Sequence, residues 1–159
     1  MAEAVAAPCA TRTAIVERPL DPAALLAEVA DAAHGAQALF VGAVREVNEG
    51  RAVTGIDYTA YTAMAERELA RIAAEAAERF ATAEGAPRVA AEHRVGTLSV
   101  GEASVAVAVG HARRAPAMDA ARWVVEELKR RVPVWKREHY ADGTREWVDP
   151  TAAAAGGRP

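Results

Sequence analysis

The chain has 159 residues and a formal net charge of -3, and its apolar fraction of 52% includes only 5% aromatic residues. This length suits one domain that buries its core without metals or disulfides. The net acidity argues against broad nucleic-acid binding, which needs a basic face to displace counterions. We expect a domain over residues 13–149, built from aliphatic residues and alanine, with flexible tails at 1–12 and 150–159.

The first half of the sequence predicts strands at "TAIVERPL", "AQALFVGAVRE" and "VTGIDYTAY" and helices at "DPAALLAEVADAAHG" and "TAMAERELARIAAEAAERF". Asp21 is suited to cap the first helix, with Pro22 at its first position and Gly35 as its stop. The second strand extends through Val44, and "VNEGRA" reads as a loop. Thr62 can cap the second helix, whose apolar residues recur on one face.

The second half predicts strands at "RVAAEHRVG" and "ASVAVAVG" on either side of a turn, "TLSVGE". A long helix from about Pro116 ends at Pro133, because proline lacks the N–H that a helix needs. "VWKREHY" is then extended, and "DGTREWV" forms a turn and a short strand. The order of elements predicts an α+β fold with an antiparallel or mixed sheet and two principal helices. The aromatic side chains expected in the core are Phe40, Trp123, Trp135 and Trp147.

Several common catalytic motifs are absent from the sequence. It contains no GxGxxG or GxxxxGK[ST] phosphate loop, no CxxC and no HExxH. Ser99 and Ser104 lack a nucleophile-elbow context, and the single cysteine, Cys9, suits a reducing compartment. None of the four histidines has metal-ligand spacing; they are His34, His93, His111 and His139. We therefore expect no metal and no cofactor, and working groups that are arginines and lysines.

Cationic residues cluster at the ends of predicted elements, where sites are usually built. Arg45 closes a strand, Arg113 and Arg114 precede a helix, and Lys129 and Lys136 flank the proline that ends that helix. Guanidinium groups suit phosphate or carboxylate, and a lysine beside other cations loses its proton more readily. Cations in a last helical turn also complement the helix dipole. From these residues alone, an anion site and a purely structural role both stay open.

Three segments together resemble the large, catalytic subunit of molybdopterin synthase. They are "LFVGAVREVNEGRAVTGIDYTAY", "HRVGTLSVGEASVAVAVGHARRAPAMDA" and "LKRRVPVWKREHYADGTREWV", and the resemblance covers roughly residues 36 to 149. The combination of "GxVR", "HRxGxLxxGE" and "LKxxxPxWKxE" is highly specific. The resemblance implies an α/β hammerhead fold with a mostly antiparallel sheet.

The resemblance also implies an activity in molybdenum cofactor biosynthesis. Such subunits convert cyclic pyranopterin monophosphate into molybdopterin by installing a dithiolene. The sulfur comes from a small ubiquitin-like carrier subunit whose C-terminal Gly-Gly ends in a thiocarboxylate. The implied assembly is a heterotetramer, in which a central dimer of catalytic subunits binds one carrier at each end. Independently of the resemblance, a sequence with no signal-peptide pattern and no apolar run long enough for a membrane span predicts a cytoplasmic location. No nucleic acid, membrane, metal or cofactor is implied.

Residue by residue, the resemblance implies that Lys129 and Lys136 are catalytic. Arg113 stands where the family usually has histidine, so His111 is a possible substitute. Met118 stands where phenylalanine is usual, and we expect it in the core. The residues implied to bind substrate are Phe40, Val44, Arg45, Arg113, Arg114, Arg137 and Glu138.

Other interpretations of the same sequence predict different behaviour. A non-catalytic interaction protein that docks an acidic partner tail in a basic groove would also use these cations. A phospho-metabolite hydrolase is disfavoured, because no metal or nucleophile motif is present. The pair Gly156 and Gly157 resembles the end of a sulfur carrier, but Arg158 and Pro159 follow, so we interpret it as incidental. The first residues lack the basic start and apolar run of a signal peptide.

Overall fold

The computed structural model describes residues 11–148, which form nine strands and three helices. In chain order these are β1 (Thr11–Val16), α1 (Pro22–Val29), β2 (Ala36–Ala43), β3 (Val47–Asn48), β4 (Arg51–Ala60), α2 (Thr62–Arg79), β5 (Arg88–Arg94), β6 (Gly96–Ser99), β7 (Ala103–His111), α3 (Arg114–Arg131), β8 (Val134–Tyr140) and β9 (Arg145–Val148). β1 begins at Thr11, two residues before the predicted domain start. The rest of both predicted tails, with Cys9 and the Gly156–Gly157 pair, lies outside the described residues.

The first sheet has the strand order β1-β5-β7-β2, and only its β1–β5 pair is parallel. The two long helices, α2 and α3, pack on one face of this sheet over a core rich in valine and alanine. The short helix α1 packs on the other face through Leu25 and Val29, against Ala90, Ala106 and Ala108. The predicted α+β class, with a mostly antiparallel sheet and two principal helices, is confirmed.

The second sheet is built around β4, which pairs with β3, β6 and β8, while β8 also pairs with β9. Its inner face has a small core of its own, formed by Val44, Val53, Ile56, Leu98 and Tyr140. Successive side chains of a strand point to opposite faces. The even-numbered residues of β8 from 134 to 140 therefore face inward, and the odd-numbered ones face the outer surface.

Helix boundaries depart from the prediction in two places. Asp21 caps α1 as expected and accepts a hydrogen bond from the N–H of Ala24, but the helix ends at Val29 rather than near Gly35. The next turn is stabilised instead by the carboxylate of Asp31, which accepts from the N–H of Ala33. In α2 the capping residue is Tyr61, without a side-chain bond, so the predicted cap at Thr62 is wrong.

Two segments predicted as irregular form strands. The predicted loop "VNEGRA" is a tight hairpin between β3 and β4, in which Glu49 and Gly50 have φ values of 47° and 78°. Positive φ at both central positions is the geometry of a type I′ turn, which matches strand twist. The predicted turn "TLSVGE" contains most of β6, which pairs with β4.

The predicted aromatic core is largely wrong. Phe40, Trp135 and Trp147 are 36%, 38% and 61% exposed, and Met118 on α3 is also exposed. Trp123 is partly buried and packs edge-on against Phe80. The interior is filled by aliphatic side chains and alanine, which leaves the large rings at a sheet edge and on outer faces. Within residues 11–148, no helix is both long and apolar enough to cross a membrane.

Candidate active site

A cavity of about 220 Å³ opens where the two sheets meet the C-terminal end of α3. Six parts of the chain form its wall: the end of β2 and the loop after it, β3, β4, the start of β7, the last turn of α3, and β8. The lining residues are Gly42, Ala43, Val44, Arg45, Asn48, Val53, Ile56, Tyr58, Ser104, Val105, Lys129, Lys136 and Glu138. We call this cavity the basic pocket.

Three of the predicted cations, Arg45, Lys129 and Lys136, line the basic pocket together. Arg45 follows β2, and its guanidinium donates to Asn48 Oδ1 at 3.4 Å. The α-helix stops before Pro133, and the chain turns directly into β8. This turn brings Lys136 back beside Lys129, which lies in the last turn of α3. Three positive charges from distant parts of the sequence therefore share one small volume with one carboxylate, that of Glu138.

The electrostatic setting of Lys129 favours proton release. Lys129 is exposed when the whole residue is considered, but protein atoms around its ammonium group partly exclude water. This desolvation lowers the pKa of Lys129. The neighbouring charges of Lys136 and Arg45 lower the pKa of Lys129 further, against the opposing charge of Glu126. A lysine in such surroundings is suited to act as a base or to move protons.

Glu138 is a buried carboxylate, only 2% exposed. Asn48 Nδ2 donates to its two oxygens at 2.9 and 2.8 Å, the Tyr140 hydroxyl donates at 2.7 Å, and Lys136 Nζ lies 3.4 Å away. Burial alone favours the neutral acid, but the hydrogen bonds from Tyr140 and Asn48 hold the pKa of Glu138 below its ordinary value. Glu138 therefore orients its neighbours and has little capacity left for a ligand.

The floor of the pocket continues into a buried layer. Burial raises the pKa of Tyr58, whose ring lines the pocket and meets the ring of His93 edge-on at 5.2 Å. Burial lowers the pKa of His93 to about 4, and the charge of Lys129 acts in the same direction. His93 Nδ1 is 2.8 Å from the carbonyl oxygen of Arg94, which fixes this neutral ring as an Nδ1–H donor.

Other predicted residues lie at the opposite end of the same elements. Arg113 and Arg114 stand at the N-terminal end of α3, about 22 Å along the helix from Lys129 at 1.5 Å per residue. Arg113 is exposed and pairs with Glu84 at 2.8 Å. Both nitrogens of buried His111 are engaged, since Nδ1 accepts from the N–H of Arg113 and Nε2 donates to a backbone carbonyl. The structure therefore gives no support to His111 as a substitute acid–base group.

The remaining predicted residues divide by strand alternation. Val44 is buried and lines the pocket, and Phe40 lies on the same face of β2 as Gly42, beside the pocket. Arg137 points to the outer face of β8, where it donates to Asp57 at 2.7 Å and stacks near Trp147. It does not line the pocket of its own chain.

Sequence reasoning missed the polar lining residues Asn48, Tyr58 and Ser104. It also missed Tyr140, which does not line the pocket but donates to Glu138. The sequence pattern assigns Asn48 only to a loop. Tyr58 and Tyr140 carry a signal, because both share a strand face with a buried residue in an alternating segment. Ser104 carries no such signal, since its hydroxyl donates to the Gly42 carbonyl on a neighbouring strand. The sequence does not reveal how those two strands align.

Fold and pocket together define an α+β protein with a small cavity lined by three cationic side chains. The sequence matches the family model described as MoaE protein over residues 15–131, and the chain belongs to this family. The chain is 43% identical to the molybdopterin synthase catalytic subunit of Emericella nidulans over 128 aligned residues. The aligned region covers 80% of this chain and 64% of that relative's length. The expected family is thereby confirmed, and its named members are enzyme subunits.

Solved structures agree with this assignment. Molybdopterin synthase from Staphylococcus aureus superposes with a TM-score of 0.79 at 30% identity, covering 85% of this chain and 95% of that one. A protein–protein complex of subunits 1 and 2 of the molybdopterin-converting factor from Helicobacter pylori has a TM-score of 0.69 at 21% identity, covering 86% of this chain and 89% of that one. The first match supports the predicted hammerhead fold, and the second shares the fold.

Proposed function

We propose that this protein transfers sulfur from the thiocarboxylated C-terminus of a small carrier subunit to cyclic pyranopterin monophosphate, forming the dithiolene of molybdopterin. Two carriers act in turn, each supplying one of the two sulfurs, and water cleaves each carrier–sulfur bond so that the carrier leaves as a carboxylate. The observation that carries the proposal is the convergence of Arg45, Lys129 and Lys136 in one pocket. The precursor carries a cyclic phosphate and the carrier tail a thiocarboxylate, so both reactants are anions. Fixed cations in a partly dry site stabilise such charges more strongly than water does.

The pocket suggests separate roles for its cations. Arg45, which is exposed, suits the phosphate, because a guanidinium offers paired donors. Lys129, with its lowered pKa, is placed to orient the sulfur and to carry protons during addition. Lys136, paired with Glu138, is placed to stabilise the oxygen released as the cyclic phosphate opens. The sulfur arrives already activated, so the residues need only position, neutralise charge and move protons.

A carrier subunit is the expected partner. The Helicobacter pylori neighbour is described as a complex of two different subunits, which supports a two-subunit assembly here. A cytoplasmic location stays a prediction from the composition of the sequence.

A dimer of two copies of this chain is also expected, and the outer edge of β2 supports this expectation. Within residues 11–148, β2 pairs only with β7, so its other edge is unpaired, and Leu39, Phe40 and Val41 on it are exposed. The β2–β7 register places Ala43 near the basic pocket and Ala36 opposite His111. Two β2 strands paired antiparallel would bring the partner subunit's Arg113 and Arg114 beside this pocket. Such a dimer would restore the arginines that one chain keeps apart.

Mixing two inactive variants tests the shared site. Arg45→Ala and Arg114→Ala homodimers should each be impaired, whereas randomly mixed subunits should recover about a quarter of wild-type activity, because half the dimers then hold one intact site. No recovery, together with a monomer in sedimentation, would contradict the dimer and leave the single-chain chemistry standing.

The main experiment combines purified protein, thiocarboxylated carrier and precursor, and measures molybdopterin. Lys129→Ala should reduce the rate on the order of 10²–10⁴-fold, the range for a lost acid–base group, with an unchanged circular dichroism spectrum. Arg130→Ala is the matched control, since Arg130 is adjacent in α3 but pairs with Glu127 on the surface. Normal turnover by Lys129→Ala would remove its assigned role. Carrier binding without product in the wild type would favour the non-catalytic docking protein.

A further inference from the structure

The hydroxyl of Tyr140 donates a hydrogen bond to Glu138, the buried carboxylate of the basic pocket. Tyr140 ends β8 on the same face as Lys136 and Glu138 and is only 7% exposed. Its hydroxyl donates to Glu138 Oε2 at 2.7 Å, and this hydrogen bond raises the pKa of Tyr140 to about 12. The phenol therefore keeps its proton at neutral pH and remains a donor.

A second contact fixes the tyrosine ring from outside. The guanidinium carbon of Arg51, on β4, lies 3.5 Å from the centre of the Tyr140 ring, a cation–π distance. Arg51 is held in turn by Glu146 on β9 at 3.0 Å. The chain Arg51–Tyr140–Glu138 thus runs from the surface of the second sheet to the pocket.

The carboxylate at the end of this chain distinguishes the two lysines. Lys136 Nζ lies 3.4 Å from Glu138 Oε1, so its charge has a fixed counter-ion. Lys129 is flanked instead by Lys136 and Arg45, whose charges lower its pKa in addition to the effect of desolvation. Two like groups in environments that differ in this way suit opposite roles.

We propose that Tyr140 is a positioning residue for the reaction: by holding the Glu138 carboxylate in place, it keeps Lys136 as the pocket's fixed ammonium and leaves Lys129 to exchange protons. This inference rests on the function proposed above. Asn48 supports the same carboxylate from β3 through two contacts. The charged groups that act on the Tyr140–Glu138 pair are Lys136, Arg51 and Glu146.

Tyr140→Phe tests the proposal, because phenylalanine keeps the ring and its stacking on Arg51 and removes only the hydroxyl. A hydrogen bond to a charged group is worth enough to move a carboxyl titration by about one to two pH units. We expect the acid limb of the kcat profile to move upward by that amount. The loss should grow toward low pH and reach about tenfold on the acid limb, with little loss at pH 8 and little change in KM. Tyr61→Phe, at an exposed tyrosine after β4, is the matched control and should keep the wild-type profile.

A second measurement does not depend on turnover. Carbon-13 NMR of the glutamate carboxyl groups should show Glu138 titrating at higher pH in Tyr140→Phe than in wild type. The proposal is overturned if the Glu138 titration is unchanged, or if the variant loses the same fraction of kcat at every pH, as a merely structural defect would. It is also overturned if the variant retains the wild-type profile. If the wild type itself makes no molybdopterin, the proposed function fails instead, and the dependent inference falls with it.

Discussion

His93 makes the stability of this protein depend on pH in a direction that the structure fixes. Its imidazole is buried beneath the basic pocket, and burial lowers its pKa from 6.5 to about 4. Between these two values the unfolded chain binds a proton that the folded protein excludes. The free energy of unfolding therefore falls as the pH drops through 6.5, and this contribution levels off below about 4.

The size of the effect follows from the same two values. A condition of pH 5 lies about 1.5 pH units below 6.5, and each unit corresponds to about 1.4 kcal/mol, so His93 should remove about 2 kcal/mol of stability between pH 7.5 and pH 5. His93→Gln keeps an amide donor for the Arg94 carbonyl but is neutral throughout this range. The variant should therefore lose about 2 kcal/mol less than wild type over the same interval.

Urea unfolding at the two pH values, followed by circular dichroism, measures this difference directly. Other groups titrate in the same interval in both proteins, so the comparison isolates His93 as long as the slopes with urea are equal. If wild type and His93→Gln lose equal stability between pH 7.5 and pH 5, the imidazole is not held neutral by burial. The close packing of Tyr58 and His93 at the pocket floor would then need another explanation.

Two further predictions concern binding and packing. Arg45→Ala should weaken binding of the anionic precursor by about 10- to 100-fold, as measured by titration calorimetry, because it removes a charged donor from the pocket. Arg79→Ala is the control, since Arg79 lies at the end of α2 beside Trp123 and does not line this pocket. Unchanged affinity in Arg45→Ala would remove Arg45 from the phosphate role. Gly110→Ala should destabilise the fold by about 1–3 kcal/mol, because an added Cβ would lie 2.2 Å from the Val29 carbonyl oxygen. An unchanged melting temperature would show that α1 shifts freely on the sheet.

Much of the fold could be predicted, because periodicity records which face of an element is buried. The long helices and the main strands follow from apolar residues at three- and four-residue steps or in alternation. The errors fall where one local signal competes with another. Gly35 is suited to stop a helix, but in the structure it allows two segments to pack closely. A Cβ at this position would lie 2.8 Å from the Ala112 carbonyl oxygen. α1 ends earlier, at Val29.

The site was predictable where residue type and position coincide. Arg45, Lys129 and Lys136 are cations at element ends, and the structure brings them together. Arg113 and Arg114 satisfy the same criterion, yet one chain places them at the far end of α3. Charge and element boundaries alone do not say which end of a helix faces a cavity, because that depends on the register and crossing of elements far apart in sequence.

Strand β8 shows how one local rule decides the chemistry of this site. Lys136 and Glu138 line the pocket, and Tyr140 lies buried on the same strand face and donates to Glu138. Trp135 and Arg137 face outward. A shift of the β8 register by one residue would exchange these sets and leave an anion site without Lys136 or its counter-ion. Pro133 reduces that freedom, because it ends α3 immediately before β8 and so fixes where the strand begins relative to Lys129. The proline between the two lysines therefore helps to shape the basic pocket, because it sets the position of Lys136 on β8 relative to Lys129 on α3.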